Sequence, residues 1–178
     1  MVRGIAMREK HVVIVGVASA GKTTMGREAA ARLGMPFADN DEETLEAGGG
    51  GDIDAMLRKH GEAGWNRMLF EVYKGFLGMK ERHIIAASPR LYDRRGFWTL
   101  TAKKSVSVHV RSTPSALLER EMKLQGFEGP VTREMKKEYE SYYRWRFGHC
   151  RKADLELRMK NDVVRDVDAL CALIDGLT

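Results

Sequence analysis

The stretch from Gly16 to Thr23, GVASAGKT, constrains the fold of this chain more than any other. It matches the pattern G-x-x-x-x-G-K-[ST] in full, follows the β-branched run KHVVIVG and precedes apolar residues at helical spacing up to Leu33. A buried strand, a glycine turn and a helix in this order form a phosphate-binding loop, because backbone N–H groups and the positive helix end attract an anion. We therefore predict a nucleotide-phosphate site here.

Several residues of this loop and of the helix start are predicted to contact the nucleotide: Gly16, Ala18, Ser19, Ala20, Gly21, Lys22, Thr23 and Thr24. Lys22 would place a cation at the β- and γ-phosphates of ATP, and the Thr23 hydroxyl would be a ligand of Mg²⁺. The alternative, a chance glycine turn, is disfavoured because a strand precedes the loop and a helix follows it. The loop alone does not separate GTPases, ATPases and small-molecule kinases, since all three use it.

Strands and helices are predicted to alternate along the whole chain. The predicted strands are five short runs: KHVVIVG, PFADND, RHIIAAS, SVSVHV and ADLELRM. Helical spacing lies between them. Asp52 is expected to cap a helix through His60, and a longer helix is expected from Glu62 to Met79. Thr113 is an expected N-cap, and Thr132 is expected to start a helix that runs to about Arg146. This order predicts one α/β domain over residues 1–178, with three α/β/α layers and a central parallel sheet of about five strands. Ligands of such sheets bind at the carboxyl ends of the strands.

The composition is that of a globular chain. Of the 178 residues, 43% are hydrophobic and 31% are charged, and no apolar run approaches the roughly 20 residues of a membrane span. The N-terminal MVRGIAMREK is too charged for a secretory signal, so we expect a cytoplasmic protein. The net charge of +5 comes from basic residues interleaved with acidic ones, which favours solvated helix faces over nucleic-acid binding.

Two aspartates, Asp39 and Asp41, lie at the end of the second predicted strand. If the strand continues through them, both side chains point to the same side. One carboxylate would lie near Mg²⁺, and the other would orient or deprotonate a hydroxyl acceptor. A solvated strand end is the alternative, because the sequence DNDEE continues acidic.

The run GKTTMGREAAARLGMPFADND resembles the shikimate kinases. It shares with them the G-K-[ST] loop, a glycine at Gly26, a small-residue helix ending in leucine, and an aspartate pair spaced like Asp39 and Asp41. Weaker similarity follows in GGDIDAMLRKHGEAGW and in STPSALLER. The resemblance is strong from about Gly16 to Asp41 and moderate elsewhere. It implies a nucleoside-monophosphate-kinase-like fold with a mobile lid at about residues 121–134.

The resemblance also implies roles for individual residues. Lys22 and Thr23 would hold the phosphates and Mg²⁺. Asp39 would lie near Mg²⁺ through water, and Asp41 would contact the acceptor hydroxyls as the candidate base. Arg120 matches the arginine that packs near adenine, with an exposed helical arginine as the alternative. The implied reaction is transfer of the γ-phosphate of ATP to a hydroxyl of a small acceptor, by a protein that is commonly monomeric.

The chain departs from the family pattern where the acceptor binds. The family's Gly-Glu-x-x-Phe-Arg stretch ends in an arginine that grips the acceptor carboxylate, and Asn66 stands at this place. Arg67 follows, but one helical step turns a side chain by about 100°. The family's glycine turn after the third strand is replaced by Pro89 and Arg90, and proline removes an N–H from the pocket floor.

Two further departures concern the lid and a second carboxylate grip. Gly129 stands where the family's lid carries an arginine, so the lid charge would come from Arg133 or Lys136 or would be missing. The family's Arg-x-Pro-Leu-Tyr stretch is present only as RWRFGHC, in which Arg144 or Arg146 would serve. The nucleotide half of the family pattern is therefore kept, and the acceptor half is changed.

Three hypotheses follow from these motifs. The first is an ATP-dependent small-molecule kinase, with shikimate as one possible acceptor and these candidate acceptor residues: Asp41, Trp65, Arg67, Arg90 and Arg144. Core packing is the alternative role for Trp65. The second is a non-catalytic sensor domain that binds a nucleotide or another ligand. The third is an RNA-associated protein, suggested by YESYYRWRF, whose aromatic residues at helical spacing favour a core stripe instead.

Overall fold

The computed structural model describes residues 10–177. The segment 1–9, which carries most of the stretch judged too charged for a signal, and Thr178 lie outside the described residues. None of the helices between residues 10 and 177 combines the length and the apolar character that crossing a bilayer requires.

Five parallel strands form one central sheet in the order β2-β3-β1-β4-β5. The strands are β1 His11–Val15, β2 Phe37–Asp39, β3 Ile84–Ala86, β4 Ser105–Arg111 and β5 Leu155–Arg158. Every predicted strand is present, although β2 and β3 are shorter than their sequence runs. The predicted parallel sheet of about five strands is confirmed.

Helices connect the strands and cover the sheet. They are α1 Lys22–Leu33, α2 Asn40–Ala47, α3 Ile53–Leu77, α4 Phe97–Lys104, α5 Pro114–Leu124, α6 Arg133–Cys150 and α7 Val163–Asp175. A single 3₁₀ turn, Pro89–Leu91, follows β3. The predicted α/β class with helices flanking a parallel sheet is confirmed.

Local sequence signals account for most helix boundaries. The side chains of Asp52, Thr113 and Thr132 each accept a hydrogen bond from a backbone N–H in the first turn of the helix that follows, as predicted. The helix α3 is interrupted at Gly61, whose φ of 67° and ψ of 169° are not helical. This interruption agrees with the sequence, which predicts one helix ending near His60 and a second beginning after it.

Three expectations differ from the structure. The second strand stops at Asp39, and Asp41 lies in the first turn of α2, so the two aspartates are not neighbours on one strand face. The helix after Thr132 continues to Cys150 rather than ending near Arg146, and Gly148 lies within its last turn. The 3₁₀ turn, α2 and α4 are absent from the predicted elements.

The pleat of β1 divides the apolar core into two parts. Val12 and Ile14 face one side of the sheet and pack in a cluster that includes residues of α1 and α7. Val13 and Val15 face the other side and pack in a cluster that includes residues of α3 and α4. Because both faces of β1 are covered, this strand is fully buried, and it fixes the position of the loop that follows it.

Candidate active site

The phosphate-binding loop connects the end of β1 at Val15 to the start of α1 at Lys22. Gly21 precedes the helix with φ 84° and ψ 17°, a left-handed conformation that glycine adopts without steric cost. Within residues 10–177, no side chain caps the N-terminus of α1. The first N–H groups of α1 are therefore not taken by a side-chain cap, and they point toward the same space as the loop, which suits an anion.

Lys22 lies over this loop. Its Nζ donates hydrogen bonds to the carbonyl oxygens of Gly16 at 3.2 Å and Val17 at 3.1 Å. Burial lowers the pKa of Lys22, and the nearby carboxylates of Asp41 and Asp39 partly offset this shift. The ammonium group thus sits between the loop and the two aspartates that the sequence singles out.

Asp39 and Thr23 form a second contact of the loop. The Thr23 hydroxyl donates to Asp39 Oδ2 at 2.6 Å. The other carboxylate oxygen of Asp39 caps α2 by accepting from the backbone N–H groups of Asp41 at 2.9 Å and Glu42 at 3.2 Å. This fixed hydroxyl–carboxylate pair beside a phosphate loop has the hard oxygen donors that Mg²⁺ prefers, with the remaining ligands supplied by phosphates and water.

Asp41 is held in the first turn of α2, so the cap geometry and not strand alternation brings it near Lys22. Burial raises the pKa of Asp41 above its usual value. The neighbouring Ser88 hydroxyl and the cations of Lys22 and Arg90 partly offset this rise in the pKa, whereas Asp39 adds to it. The two carboxylates therefore share one cleft. Asp41 is protonated more readily in this cleft than a free aspartate is in water.

A cavity of about 690 Å³ extends from the loop along α5 and the segment after β5. It is lined by Ser19, Gly21, Lys22, Thr23, Thr24, Met25, Arg120, Lys123, Leu124, Met159, Asn161, Val163 and Asp166. Arg120 Nη2 donates to Asn161 Oδ1 at 2.7 Å, and Nη1 lies 3.5 Å from the Ser19 carbonyl oxygen. The size and the position suit the nucleoside part of a bound nucleotide.

Polar groups on the other side of Asp41 come from α3, the turn after β3 and α6. Arg90 Nη1 pairs with Glu62 Oε1 at 3.1 Å, and Arg146 Nη1 donates to the Pro89 carbonyl at 3.1 Å. Five side-chain atoms on these elements are buried without a hydrogen-bond partner among the described residues: Trp65 Nε1, Asn66 Oδ1, Ser88 Oγ, Tyr139 Oη and Arg146 Nε. Of these residues, Asn66 lies one turn along α3 from Glu62. Buried polar atoms of native proteins are paired, so unpaired ones beside a cleft are suited to meet a ligand.

Three of the predicted acceptor residues lie elsewhere than expected. Arg144 has 79% of its side chain exposed and pairs with Glu140 on α6, because it lies on the outer face of this helix. Arg146, two positions along, is the residue that reaches the turn after β3. Trp65 is 0% exposed within the core, which is the alternative that its sequence context left open. Arg67 is exposed on α3.

Sequence reasoning missed Ser88 and Asn161. Ser88 lies just after β3, and Asn161 lies just after β5. Both positions follow the carboxyl end of a parallel strand, where ligands of such sheets bind, and this rule is the signal that was available.

The segment expected to form the lid runs from the last turn of α5 into the start of α6. Residues 125–132 form no helix or strand, and Leu124 and Phe127 are exposed apolar side chains on this segment. Arg133 and Lys136, the expected cations, lie at the start of α6, and both are exposed. Closure of the lid stays a prediction.

Comparison with known proteins decides the family. The family model described as shikimate kinase matches residues 18–160. The chain belongs to the shikimate kinase family. Shikimate kinase from Burkholderia pseudomallei is 34% identical over 122 residues, which cover 65% of this chain and 63% of that protein. Shikimate kinase from Bradyrhizobium diazoefficiens is 29% identical over 119 residues, which cover 65% of this chain and 55% of that protein. The matched part thus spans less than two thirds of these relatives.

Solved shikimate kinase structures share the fold. The enzyme from Bacteroides thetaiotaomicron superposes with a TM-score of 0.79 at 18% identity, covering 93% of this chain and 98% of that one. The enzyme from Acinetobacter baumannii, solved in complex with shikimate, superposes with a TM-score of 0.78 at 20% identity, covering 94% and 93%. The shikimate kinase fold therefore extends over almost the whole chain.

Proposed function

We propose that this protein is an ATP-dependent kinase that transfers the γ-phosphate of ATP to a hydroxyl group of a small acceptor. The observation that carries the proposal is the meeting of Lys22, the Thr23–Asp39 pair and Asp41 in one cleft. Membership in the shikimate kinase family supports the same reaction class. Catalysis of this kind depends on positioning and charge stabilisation, because the transition state of phosphoryl transfer is loose and rich in charge.

The nucleotide half of the cleft fits ATP with Mg²⁺. Lys22 would exchange its loop carbonyls for the β- and γ-phosphate oxygens, and Arg120 would lie beside the base in the cavity described above. Thr23 would bind Mg²⁺ directly, with Asp39 holding it through water. Mg²⁺, when bound, neutralises charge that develops on the phosphates.

Asp41 is the proposed base. It lies beside Lys22, and burial moves its pKa upward toward the range in which a carboxylate accepts a proton more readily. Its position in a helical turn, held by the N-cap of Asp39, keeps the carboxylate directed into the cleft without a contribution from a loop. We propose that it orients the acceptor hydroxyl and takes its proton during transfer.

The proposed acceptor is a small hydroxylated acid. Arg90 lies near Asp41, and Arg146 reaches the turn that carries Arg90; guanidinium groups bind carboxylates through paired hydrogen bonds. The related enzyme from Acinetobacter baumannii was solved with shikimate bound. Because Asn66 stands where the family has a carboxylate-binding arginine, we propose that the preferred acid differs from shikimate. Arg67 and Arg144 are exposed and are weaker candidates for this role.

A non-catalytic sensor domain is the second candidate function. It would account for a changed acceptor half, because a sensor need not position an acceptor. The intact set of Lys22, Thr23, Asp39 and Asp41 favours the kinase, since binding alone does not require a candidate base.

The test is ADP formation from Mg·ATP with a panel of hydroxylated acids, including shikimate and gluconate, and of matched neutral polyols such as inositol. The kinase proposal predicts turnover that depends on one acceptor and that is lost in both Lys22→Ala and Asp41→Asn. Nucleotide binding without acceptor-dependent turnover across the panel would favour the sensor instead.

A further inference from the structure

One buried side chain that no motif includes joins the two halves of the cleft. Tyr92 follows the 3₁₀ turn after β3 and is 1% exposed. Its hydroxyl accepts from the Gly16 N–H at 2.9 Å and lies 3.0 Å from the carbonyl oxygens of both Gly16 and Ala87, between which it shares its proton. The first glycine of the phosphate loop is thus bonded through both of its backbone groups to one phenol.

The opposite side of Gly16 is also closed. A Cβ atom at this position would come within 3.0 Å of Val110 on β4, so the loop start is enclosed between β4 and the Tyr92 hydroxyl. The ring of Tyr92 is itself packed against Phe97 and Trp98 of α4, at centroid distances of 5.6 Å and 6.0 Å. The position of the hydroxyl is therefore set by the core and not by the loop that it holds.

The Gly16 carbonyl oxygen has a second donor, the ammonium group of Lys22 at 3.2 Å. Under the proposed function, Lys22 leaves this oxygen to bind phosphate. The loss of the only donor to a buried carbonyl costs free energy, but the Gly16 carbonyl keeps the hydrogen bond from Tyr92 when Lys22 leaves. Tyr92 thereby lowers the cost of releasing Lys22 to the nucleotide.

We infer that Tyr92 is a positioning residue for the phosphate loop, one that fixes Gly16 and frees Lys22 to bind the nucleotide. The inference rests on the proposed function, because it assumes that Lys22 binds phosphate. Tyr92 also bonds Ala87, so the same hydroxyl fixes the start of the turn that carries Ser88 and Arg90. The Tyr92 hydroxyl therefore fixes the position of the phosphate loop relative to the turn on the acceptor side.

The chain offers a matched control in Tyr73. It is 0% exposed, its ring packs against the same Phe97 at 4.9 Å, and its hydroxyl is bonded to Thr101 at 2.7 Å, on α4 and not on the loop. Tyr92→Phe and Tyr73→Phe each remove one buried hydroxyl and keep the ring. Both variants should lose stability, but only the first leaves the Gly16 N–H and C=O groups short of a partner.

The test is titration of Mg·ADP into the wild-type chain and both variants by calorimetry, well below their melting temperatures. We expect the affinity to fall about tenfold or more in Tyr92→Phe and to stay within about twofold in Tyr73→Phe, since an unpaired buried group costs more than a lost bond alone. Unchanged affinity in Tyr92→Phe, or equal losses in both variants, would overturn the inference. A wild-type chain that does not bind Mg·ADP would instead refute the proposed function.

Amide hydrogen exchange of Gly16 in the wild-type chain gives a second measurement that does not depend on folding of a variant. We expect this amide to be protected both without nucleotide and with saturating Mg·ADP, because the Tyr92 bond persists after Lys22 moves. Loss of protection on addition of Mg·ADP would show that the loop leaves Tyr92 when it binds, and the inference would fail.

Discussion

The two halves of the cleft differ in how their polar side chains are satisfied. In the nucleotide half, the loop residue Lys22 and the Thr23–Asp39 pair have hydrogen bonds within the chain, and Asp166 Oδ2 is the buried oxygen of the cavity lining that has none among the described residues. In the acceptor half, Asn66 and Arg146 each keep a buried polar atom without a partner among residues 10–177. A loop whose groups bond to one another is organised before its ligand arrives, whereas the acceptor side is completed by the ligand's own polar groups.

The largest expected effect separates chemistry from nucleotide binding. Asp41→Asn should lower acceptor-dependent turnover by about 10²- to 10⁴-fold, the usual contribution of a general base. Its affinity for Mg·ADP should stay within about threefold of wild type, because Asp41 serves the acceptor half. Parallel steady-state kinetics and calorimetry check both parts, and a large loss of Mg·ADP affinity would place Asp41 in the nucleotide half instead.

Lys22→Ala should affect the nucleotide half. We expect turnover to fall about 10²- to 10³-fold, as for other groups that stabilise charge in a transition state. In contrast to Asp41→Asn, this variant should also bind Mg·ATP more weakly. Steady-state kinetics and calorimetric titration of Mg·ATP check these two expectations, and an unchanged melting temperature is the control for folding. Full Mg·ATP affinity in this variant would argue against contact between Lys22 and phosphate.

A matched pair of arginines on α6 tests the acceptor half. Arg146→Gln should raise the KM for the best acceptor of the panel by about 10- to 100-fold, because a charge-assisted hydrogen bond is lost. Arg144→Gln should change the KM by less than about twofold, since Arg144 pairs with Glu140 on the outer face. The reverse order of effects would place Arg144, and not Arg146, in the acceptor site.

The sequence predicted the nucleotide half better than the acceptor half, for a physical reason. The loop, α1 and the aspartate pair lie within one short uninterrupted run from Gly16 to Asp41, so spacing along the chain indicates that they lie close together. The acceptor groups come from α3, the turn after β3 and α6, and their meeting depends on tertiary packing. Spacing could not choose between Arg144 and Arg146, because the choice depends on which face of α6 meets Pro89.

The failed strand expectation at Asp41 has a similar origin. The sequence PFADND contains no residue that forbids an extended chain through Asp41, so alternation was the simplest interpretation. In the structure the Asp39 carboxylate instead caps α2, and the helix begins at Asn40, before the strand could reach Asp41. The expected proximity of both carboxylates to the loop holds, but through a cap and a helical turn.

The smallest expected effect is on stability, and it has opposite signs for the two aspartates. Asp41 has a raised pKa in the fold, so it ionises more readily when unfolded. Its ionisation therefore opposes folding as the pH rises above the unfolded value near 3.9, and no effect remains at lower pH, where both states are protonated. Asp41→Asn should raise the melting temperature at pH 7 by a few degrees and leave it unchanged near pH 3.

Asp39→Asn is the partner of that measurement. Asp39 caps α2 through two backbone N–H groups and accepts from Thr23, so replacing it with an amide should lower stability by about 1 kcal/mol. Thermal unfolding of both variants at pH 7 checks the signs. If Asp41→Asn destabilises the chain as much as Asp39→Asn does, then Asp41 stabilises the fold, and the expectation that its ionised carboxylate lowers stability is wrong.

The central claim is that this shikimate kinase family member keeps the nucleotide half and has a changed acceptor half. The most direct test is calorimetric titration of Mg·ADP and of shikimate into this chain and into the Acinetobacter baumannii enzyme, whose structure contains shikimate. We predict Mg·ADP affinities within about tenfold of each other, and shikimate binding about 100-fold weaker to this chain, as expected for lost charge-assisted hydrogen bonds. Equal shikimate affinity for the two proteins would contradict the account.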